Sequence, residues 1–423
     1  MDTEGRDWSV VALLLSLALS SIASMAQATV LGLEVFHISG RTLDLGLLGL
    51  VEFAPALLLV LVTGSVADRF DRRRVASIGL LGEAAATAGI LWYVSTGPTA
   101  VGPIFGFVFL FGVARAFAAP AARSLPADIV APERVPWVVA RYSATWQIAS
   151  IVGPVAGGFL YAADPRLPYV FIVAVTLGAA GSVLAVRRQG HVGPVEEMGE
   201  AVPPIDPLLV PVPKARFSDA VEGLRFIRSQ PVLLGAISLD LFAVLFGGAV
   251  ALLPAIAEER LHVGPVGYGW LRAAGGIGAG VVTLRLAVRP LDRRIGRTLL
   301  LAVGLFGAAT VALGVTRTYV VAFVAMLVLS GADSISVFVR ATLVPLVTPP
   351  DKRGRVLAVE NVFIGASNEL GAFESGVAGQ WLGPAGAVVL GGAATLAIAA
   401  SWGALFPDLR DVDRFPGPVR EET

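Results

Sequence analysis

The chain has 423 residues, 55% of them hydrophobic and 15% charged, with a formal net charge of zero and a mean hydropathy of +0.76. It is too apolar and too charge-poor for a soluble globular protein of this length, which points to a polytopic membrane protein. Balanced charge makes no electrostatic case for nucleic acid. The lack of cysteine excludes disulfides and thiolate chemistry, and His37, His191 and His262 are too scattered to form a ligand cluster.

The first apolar run, residues 10–33, begins like a secretory leader. Asp2, Glu4 and Asp7 outweigh Arg6, however, and the run continues past the small residues Ala26-Gln27-Ala28, so it reads as a transmembrane helix. Apolar runs of roughly 18 residues or more predict twelve spans. They lie at 9–33, 43–65, 74–95, 101–123, 136–161, 167–187, 231–257, 266–288, 297–315, 318–345, 355–379 and 384–406. The expected fold class is an all-α integral membrane protein with two six-helix bundles. The N-terminal bundle covers 1–187, a cytoplasmic linker with an amphipathic helix 188–230, the C-terminal bundle 231–408 and a cytoplasmic tail 409–423.

Lys and Arg near span ends resist translocation. Loops on one side hold only Arg41, Arg166, Arg260 and Arg317, whereas the other side holds Arg69, Arg72 to Arg74, Arg187, Arg188, Arg293, Arg294, Lys352, Arg353 and Arg355 among others. The second side is expected to be cytoplasmic, with both termini on it, in the inner or plasma membrane.

Between spans 2 and 3 lies the charged hairpin Gly64-Ser65-Val66-Ala67-Asp68-Arg69-Phe70-Asp71-Arg72-Arg73-Arg74. Its Phe70-Asp71-Arg72-Arg73 is echoed by Leu291-Asp292-Arg293-Arg294 after span 8, an internal repeat at the same place in each half. In the linker, a Gly/Pro/Glu-rich segment over 191–213 is followed by a short helix. Ser218 suits its N-cap and Asp219 and Glu222 its first turn, with Phe217, Val221, Leu224 and Ile227 on one face against Arg225 and Arg228. Such a helix is expected to lie on the membrane surface.

Polar residues at membrane depth are costly and so mark function or pairing. Span 4 carries Arg115. The acids are Glu52, Glu83, Asp240, Asp333, Glu369 and Glu374, and burial without a partner would let such a group take up and release a proton. Asp333 and Arg340 share a face of span 10, where they can also pair structurally. Span 11 carries Asn361, Asn368 and Ser375 at sevenfold spacing with Glu369 beside them. That stripe either lines a wet cavity or bonds a neighbouring helix. Gln27, Trp146, Gln147, Phe242, Trp270 and Phe338, with Arg115, Arg340, Asn361 and Asn368, are cavity candidates suited to amphipathic molecules.

The hairpin residues Gly64, Asp68, Arg69, Arg72 and Arg73 resemble the loop motif of the major facilitator superfamily. Asp71 stands where that motif usually has Gly, as in the subgroup resembling the enterobactin exporter. The resemblance implies the major facilitator fold and a gating latch, with Asp68 against the N-terminal end of span 11 and Arg69 and Arg72 pairing with acids such as Asp128. In span 5, Gly153-Pro154-Val155-Ala156-Gly157-Gly158 resembles the motif of the antiporter branches, with Ala149 replacing its first Gly. Pro154 kinks the helix, and Gly153, Gly157 and Gly158 admit a close neighbour. The function implied is proton-coupled efflux of a small organic molecule, siderophore or drug-like, by alternating access in a monomer. It needs no cofactor besides the proton gradient and has the lipid bilayer as its other partner. Proton-coupled nutrient import is the alternative within transport, and a non-transporting sensor or assembly partner the alternative outside it. No Gly-rich phosphate loop followed by Lys and Ser or Thr is present, so ATP hydrolysis and enzyme activity are not expected.

Overall fold

The computed structural model describes residues 3–130, 134–186 and 217–416, leaving out the side chains at 3–7, 60, 61, 64, 67, 68, 127 and 217–220. Hydrocarbon supplies no partner to backbone N–H and C=O groups, so a spanning segment must satisfy them internally. Every regular element among the described residues is accordingly helical.

The first six long helices are α1 (Thr3–Ser39), α2 (Thr42–Arg69), α3 (Arg72–Val94), α4 (Gly102–Ile129), α5 (Val135–Ala163) and α6 (Leu167–Ala185). A short α7 (Phe217–Ser229) leads into α8 (Pro231–Phe246), a 3₁₀ turn (Ala249–Leu252), the three-residue α9 (Leu253–Ala255) and a π turn (Ile256–Arg260). Then follow α10 (Pro265–Val288), α11 (Ile295–Val315), α12 (Tyr319–Val347), α13 (Pro350–Leu405) and α14 (Pro407–Arg410).

Eleven helical segments among the described residues are long and apolar enough to cross a membrane. The last, α13, has 56 residues, about 84 Å at 1.5 Å per residue against a hydrocarbon core of about 30 Å. It is two spans. Gly383 sits at φ 74° and ψ 158° with Pro384 behind it, a backbone conformation open essentially to glycine alone. The break divides α13 where the sequence expects one span to end and the next to begin, bringing the spans to twelve.

Two compact units form: Met1–Val202 with Val263–Ala273, and Pro203–His262 with Ala274–Thr423. In the first, α1 packs on α5 and α6, α3 on α4 and α6, and α2 on α4, around Leu13, Leu80, Leu125, Val138 and Val183. In the second, α11 packs on α12 and α13, and α8 on α13, around Leu239, Leu299, Val303, Val339 and Leu343. Leu57, Leu58, Ile78, Trp92, Leu284, Leu301 and Trp381 remain exposed. That apolar perimeter matches a lipid solvent.

The linker segment expected over 191–213 lies outside the described residues, as do the side chains of Phe217, Ser218 and Asp219. Within α7, Val221 and Leu224 of the expected apolar face are exposed, whereas Gly223 and Ile227 are buried. The helix docks on the start of α13 through a face offset from the expected one. Gly223 meets the Arg355 carbonyl, Ile227 packs among Val344, Val356 and Val359, and Arg355 Nη1 lies 2.8 Å from Glu222 Oε1. Lys352 Nζ stands 5.0 Å from the Phe226 ring. Glycine at 223 lets the two backbones approach, which a scan for large apolar residues overlooks.

The repeated hairpins end differently. Asp71 is the N-cap of α3, its Oδ1 accepting from the Arg73 N–H at 3.0 Å while Arg73 Nη2 pairs with its Oδ2 at 2.8 Å. Asp292 is exposed, and α11 is capped instead from the C-terminal segment. The Arg294 N–H donates to Asp413 Oδ1 at 3.2 Å and the Gly296 N–H to the Val412 carbonyl at 3.0 Å. Asp71→Ala is therefore expected to destabilise the protein by about 1 kcal/mol, the usual worth of an N-cap. Asp292→Ala is expected to stay within about 0.5 kcal/mol of the parent; thermal unfolding of the two full-length variants in one detergent checks the difference.

Candidate functional site

In the second unit a single arginine is paired with carboxyls from two neighbouring helices. Arg340, on α12, is only 3% exposed, held on a helix whose Val339, Leu343 and Val344 face the core. Its Nη2 lies 2.8 Å from Asp240 Oδ1 on α8, and its Nη1 lies 3.4 Å from Glu360 Oε1 on α13. Asp333, two turns earlier on α12, lines a small cleft together with Asp240, Ser336 and Phe306. The sequence leaves open a pairing of Asp333 with Arg340, but the guanidinium is taken by Asp240 and Glu360. Arg340 Nε and Ser336 Oγ are buried with no hydrogen-bond partner among the described residues.

One guanidinium cannot balance three ionised carboxylates. If all were charged the group would carry an excess of two negative charges, and uncompensated charge in an apolar interior costs several kcal/mol per ion. The arrangement therefore suits groups that exchange protons. Glu360 is absent from the acids singled out in the sequence because it lies near the start of its span. A signal for it exists: Val356, Val359 and Glu360 share one helical face, and the first two are buried.

The first unit holds a looser counterpart. Arg115 Nη1 donates to Ser24 Oγ at 2.5 Å, lies 4.0 Å from Glu52 Oε1, and its guanidinium carbon is 5.9 Å from the Phe111 ring centroid. Glu83 is buried on α3 within electrostatic reach of both Arg115 and Glu52. Gln27, also buried, accepts from Thr87 Oγ1 at 2.8 Å. On α5, Trp146 is half-buried and Gln147 donates to Ser150 Oγ at 3.2 Å. Trp270 is exposed.

Other candidates of the second unit have separate partners. Phe242 stacks edge-on with Trp402, ring centroids 5.5 Å apart, and Phe338 with Phe415 at 6.3 Å. The span 11 stripe divides. Asn361 is half-buried, while Asn368 is exposed and donates to the Ile364 carbonyl at 2.8 Å. Ser375 and Gly371 are buried where Gly248, at the break of the seventh span, meets α13. Glu369 and Glu374 are half-buried, apart from the Arg340 pairs.

The α5 motif makes two seams within the first unit. Gly153 and Gly157 lie against Ile22, Met25, Ala26 and Val30 of α1, and Gly158 against Gly269 and the Pro265 carbonyl, with the Pro154 carbonyl also against Gly269. A side chain at Gly153, Gly158 or Gly269 would displace backbone, whereas one at Gly157 would press on the Val30 side chain. In the hairpin, Arg72 Nη1 lies 2.7 Å from Asp128 Oδ1, and Arg73 Nη1 donates to the Val186 carbonyl at the end of α6, 2.5 Å away. Arg69 is exposed at the last residue of α2. Gly64 and Asp68 lie outside the described side chains.

The family model described as Major Facilitator Superfamily matches residues 12–371. The chain belongs to the Major Facilitator Superfamily. The superfamily is one of membrane transporters rather than enzymes, and the eleven long apolar helical segments among the described residues fit a multi-pass membrane protein. Among curated members, it is 30% identical over 264 residues to the "Multidrug efflux pump Tap" of Mycobacterium tuberculosis (strain ATCC 25618 / H37Rv), 59% of each chain. The chain thus spans about three-fifths of the length of that relative. It is 24% identical over 386 residues to the "Uncharacterized MFS-type transporter YfiS" of Bacillus subtilis (strain 168), covering 88% of this chain and 87% of that protein. A solved bacterial homologue of the human lysosomal transporter Spinster shares the superfamily fold, with a TM-score of 0.69 at 16% identity over 97% of both chains.

Arg340→Ala is expected to cost about 3–5 kcal/mol, because it leaves buried carboxyls without their counter-ion. Replacing Arg340, Asp240 and Glu360 together by apolar residues of similar size should recover most of that stability. Melting temperatures of the purified variants, read beside the parent, check both expectations.

Proposed function

We propose that this transporter exports a small organic molecule, siderophore or drug-like, in exchange for protons. It works by alternating access as a monomer in the cell membrane, with both termini cytoplasmic. The observation that carries the proposal is the imbalance around Arg340, where Asp240 and Glu360 share one positive charge and Asp333 lines a cleft with Asp240. Sealed from water, the surplus carboxyls favour the neutral acid; hydrated, they favour the anion. A cycle that alternately seals and wets them moves protons from one side to the other. The 30% identity to a protein named as a multidrug efflux pump and the Gly153-Pro154 and Gly157-Gly158 seams support export over import. Within the first unit Gln27, Arg115, Trp146 and Gln147 would meet substrate, and Asp68 with Arg69, Arg72 and Asp128 would form the gating latch.

Transport of ethidium and of a catecholate siderophore into and out of sealed vesicles under an imposed pH gradient tests the reading. Asp240→Asn, Asp333→Asn and Glu360→Gln should each lower gradient-driven transport by about tenfold or more, equivalent to about 1.4 kcal/mol, and leave exchange without a gradient in place. Undiminished gradient-driven transport with all three neutralised would overturn the proton coupling. Accumulation only in the symport direction would assign the protein to uptake.

A further inference from the structure

We propose that Glu34 is a second proton-binding site, built at the end of α1 remote from the Arg69 to Arg74 hairpin and separate from the Arg340 cluster. Glu34 lies five residues before the end of α1 and is only 4% exposed. Its Oε2 accepts from the Tyr161 hydroxyl at 2.7 Å. Among the described residues no Lys or Arg pairs with it, unlike Asp240, Glu360 and Glu52. Tyr169 of α6 is 0% exposed, lies within electrostatic reach of Glu34 and Tyr161, and has a hydroxyl with no hydrogen-bond partner among the described residues.

Local packing keeps this group dry. Ala149, Gly153, Gly157 and Tyr161 recur every four residues along α5 and so fall on one stripe. Gly153 and Gly157 bring that stripe against Ile22, Met25, Ala26 and Val30 of α1. Glu34 follows Val30 by one turn, as Tyr161 follows Gly157. The glycine seam therefore ends in the Tyr161 to Glu34 hydrogen bond.

The charged groups at this end are His37 on α1, Arg41 and Asp44 at the start of α2, Asp164 and Arg166 between α5 and α6, and Arg272 on α10. His37 is exposed and acts electrostatically on Glu34. Asp164 accepts from the Arg166 N–H at 2.8 Å, and Arg272 Nη1 lies 3.4 Å from the Tyr268 hydroxyl. A carboxylate at 34 would hold one hydrogen bond and no counter-ion, a costly state for a buried charge. The neutral acid keeps the bond from Tyr161 and removes the buried charge. Separation of α1 from α5 would admit water and release the proton past His37.

The site requires neither antiport nor a particular substrate, so its test is independent of transport. Infrared difference spectra of the purified full-length protein are recorded through a pH series. Within the series the parent should show a protonated-carboxyl C=O band that is lost in Glu34→Gln, shifted in Tyr161→Phe and retained in Asp240→Asn/Glu360→Gln. Parent and Glu34→Gln spectra that coincide throughout the series would overturn the proposal. So would a band that Tyr161→Phe leaves in place, a reading that stands even if Glu34→Gln fails to fold.

Discussion

A hydrocarbon solvent cannot hydrogen-bond a peptide group, and this constraint shapes each departure from regular helix in the chain. In the seventh span, α8 stops at Gly247 and gives way to 3₁₀ and π turns, with Gly248 seated against Gly371 and Ser375 of α13. At Gly383 the chain turns in a conformation no other residue tolerates well. At the start of α11 the open N–H groups are met by Val412 and Asp413, so the last described residues complete a helix far upstream.

The same solvent determines how charge is arranged. A membrane helix can bury an arginine only against carboxyls or other acceptors, and among the described residues Arg340 and Arg115 each have a carboxyl nearby. Arg340 of α12 is 3% exposed and contacts acids of α8 and α13 at 2.8 and 3.4 Å. Arg115 is more open and reaches Ser24 more closely than Glu52. The tighter site has the greater surplus of acid. Such a group need not stabilise the fold, since desolvation offsets much of the attraction between buried ions.

Close helix approach is the third element, supplied by small residues in stripes. On α5 one stripe faces α1 and the next faces the beginning of α10, so a single Gly/Pro-rich run serves two seams within the first unit. In the second unit Gly223 does the same for α7 against the start of α13. That turn of α13 carries Arg355, Val356 and Val359, and it leads directly to Glu360. The docked linker helix and the arginine cluster are thus joined by little more than one turn of helix.

Much of this was legible in the residues alone. Span number, the two-part division of apolar runs and the rarity of charge at depth follow from hydropathy and length, because lipid imposes one requirement on every span. Asp240, Asp333, Arg115 and Arg340 stood out as individual expensive residues for the same reason. Which of them meet could not be read, since pairing depends on the rotation of each helix about its axis and on contacts between residues far apart in sequence. Glu360 and Glu34 looked unremarkable near span ends until α12 and α5 placed Arg340 and Tyr161 beside them. Likewise Asp71 and Asp292 sit in matching sequence motifs, yet only the first caps its helix, because the C-terminal segment had already supplied Asp413 to the second. The sequence by itself determined the solvent, the spans and the costly side chains near span centres; the tertiary structure alone decided the partners and which acids near span ends are buried, because depth along a span is local information and the face a residue presents is not.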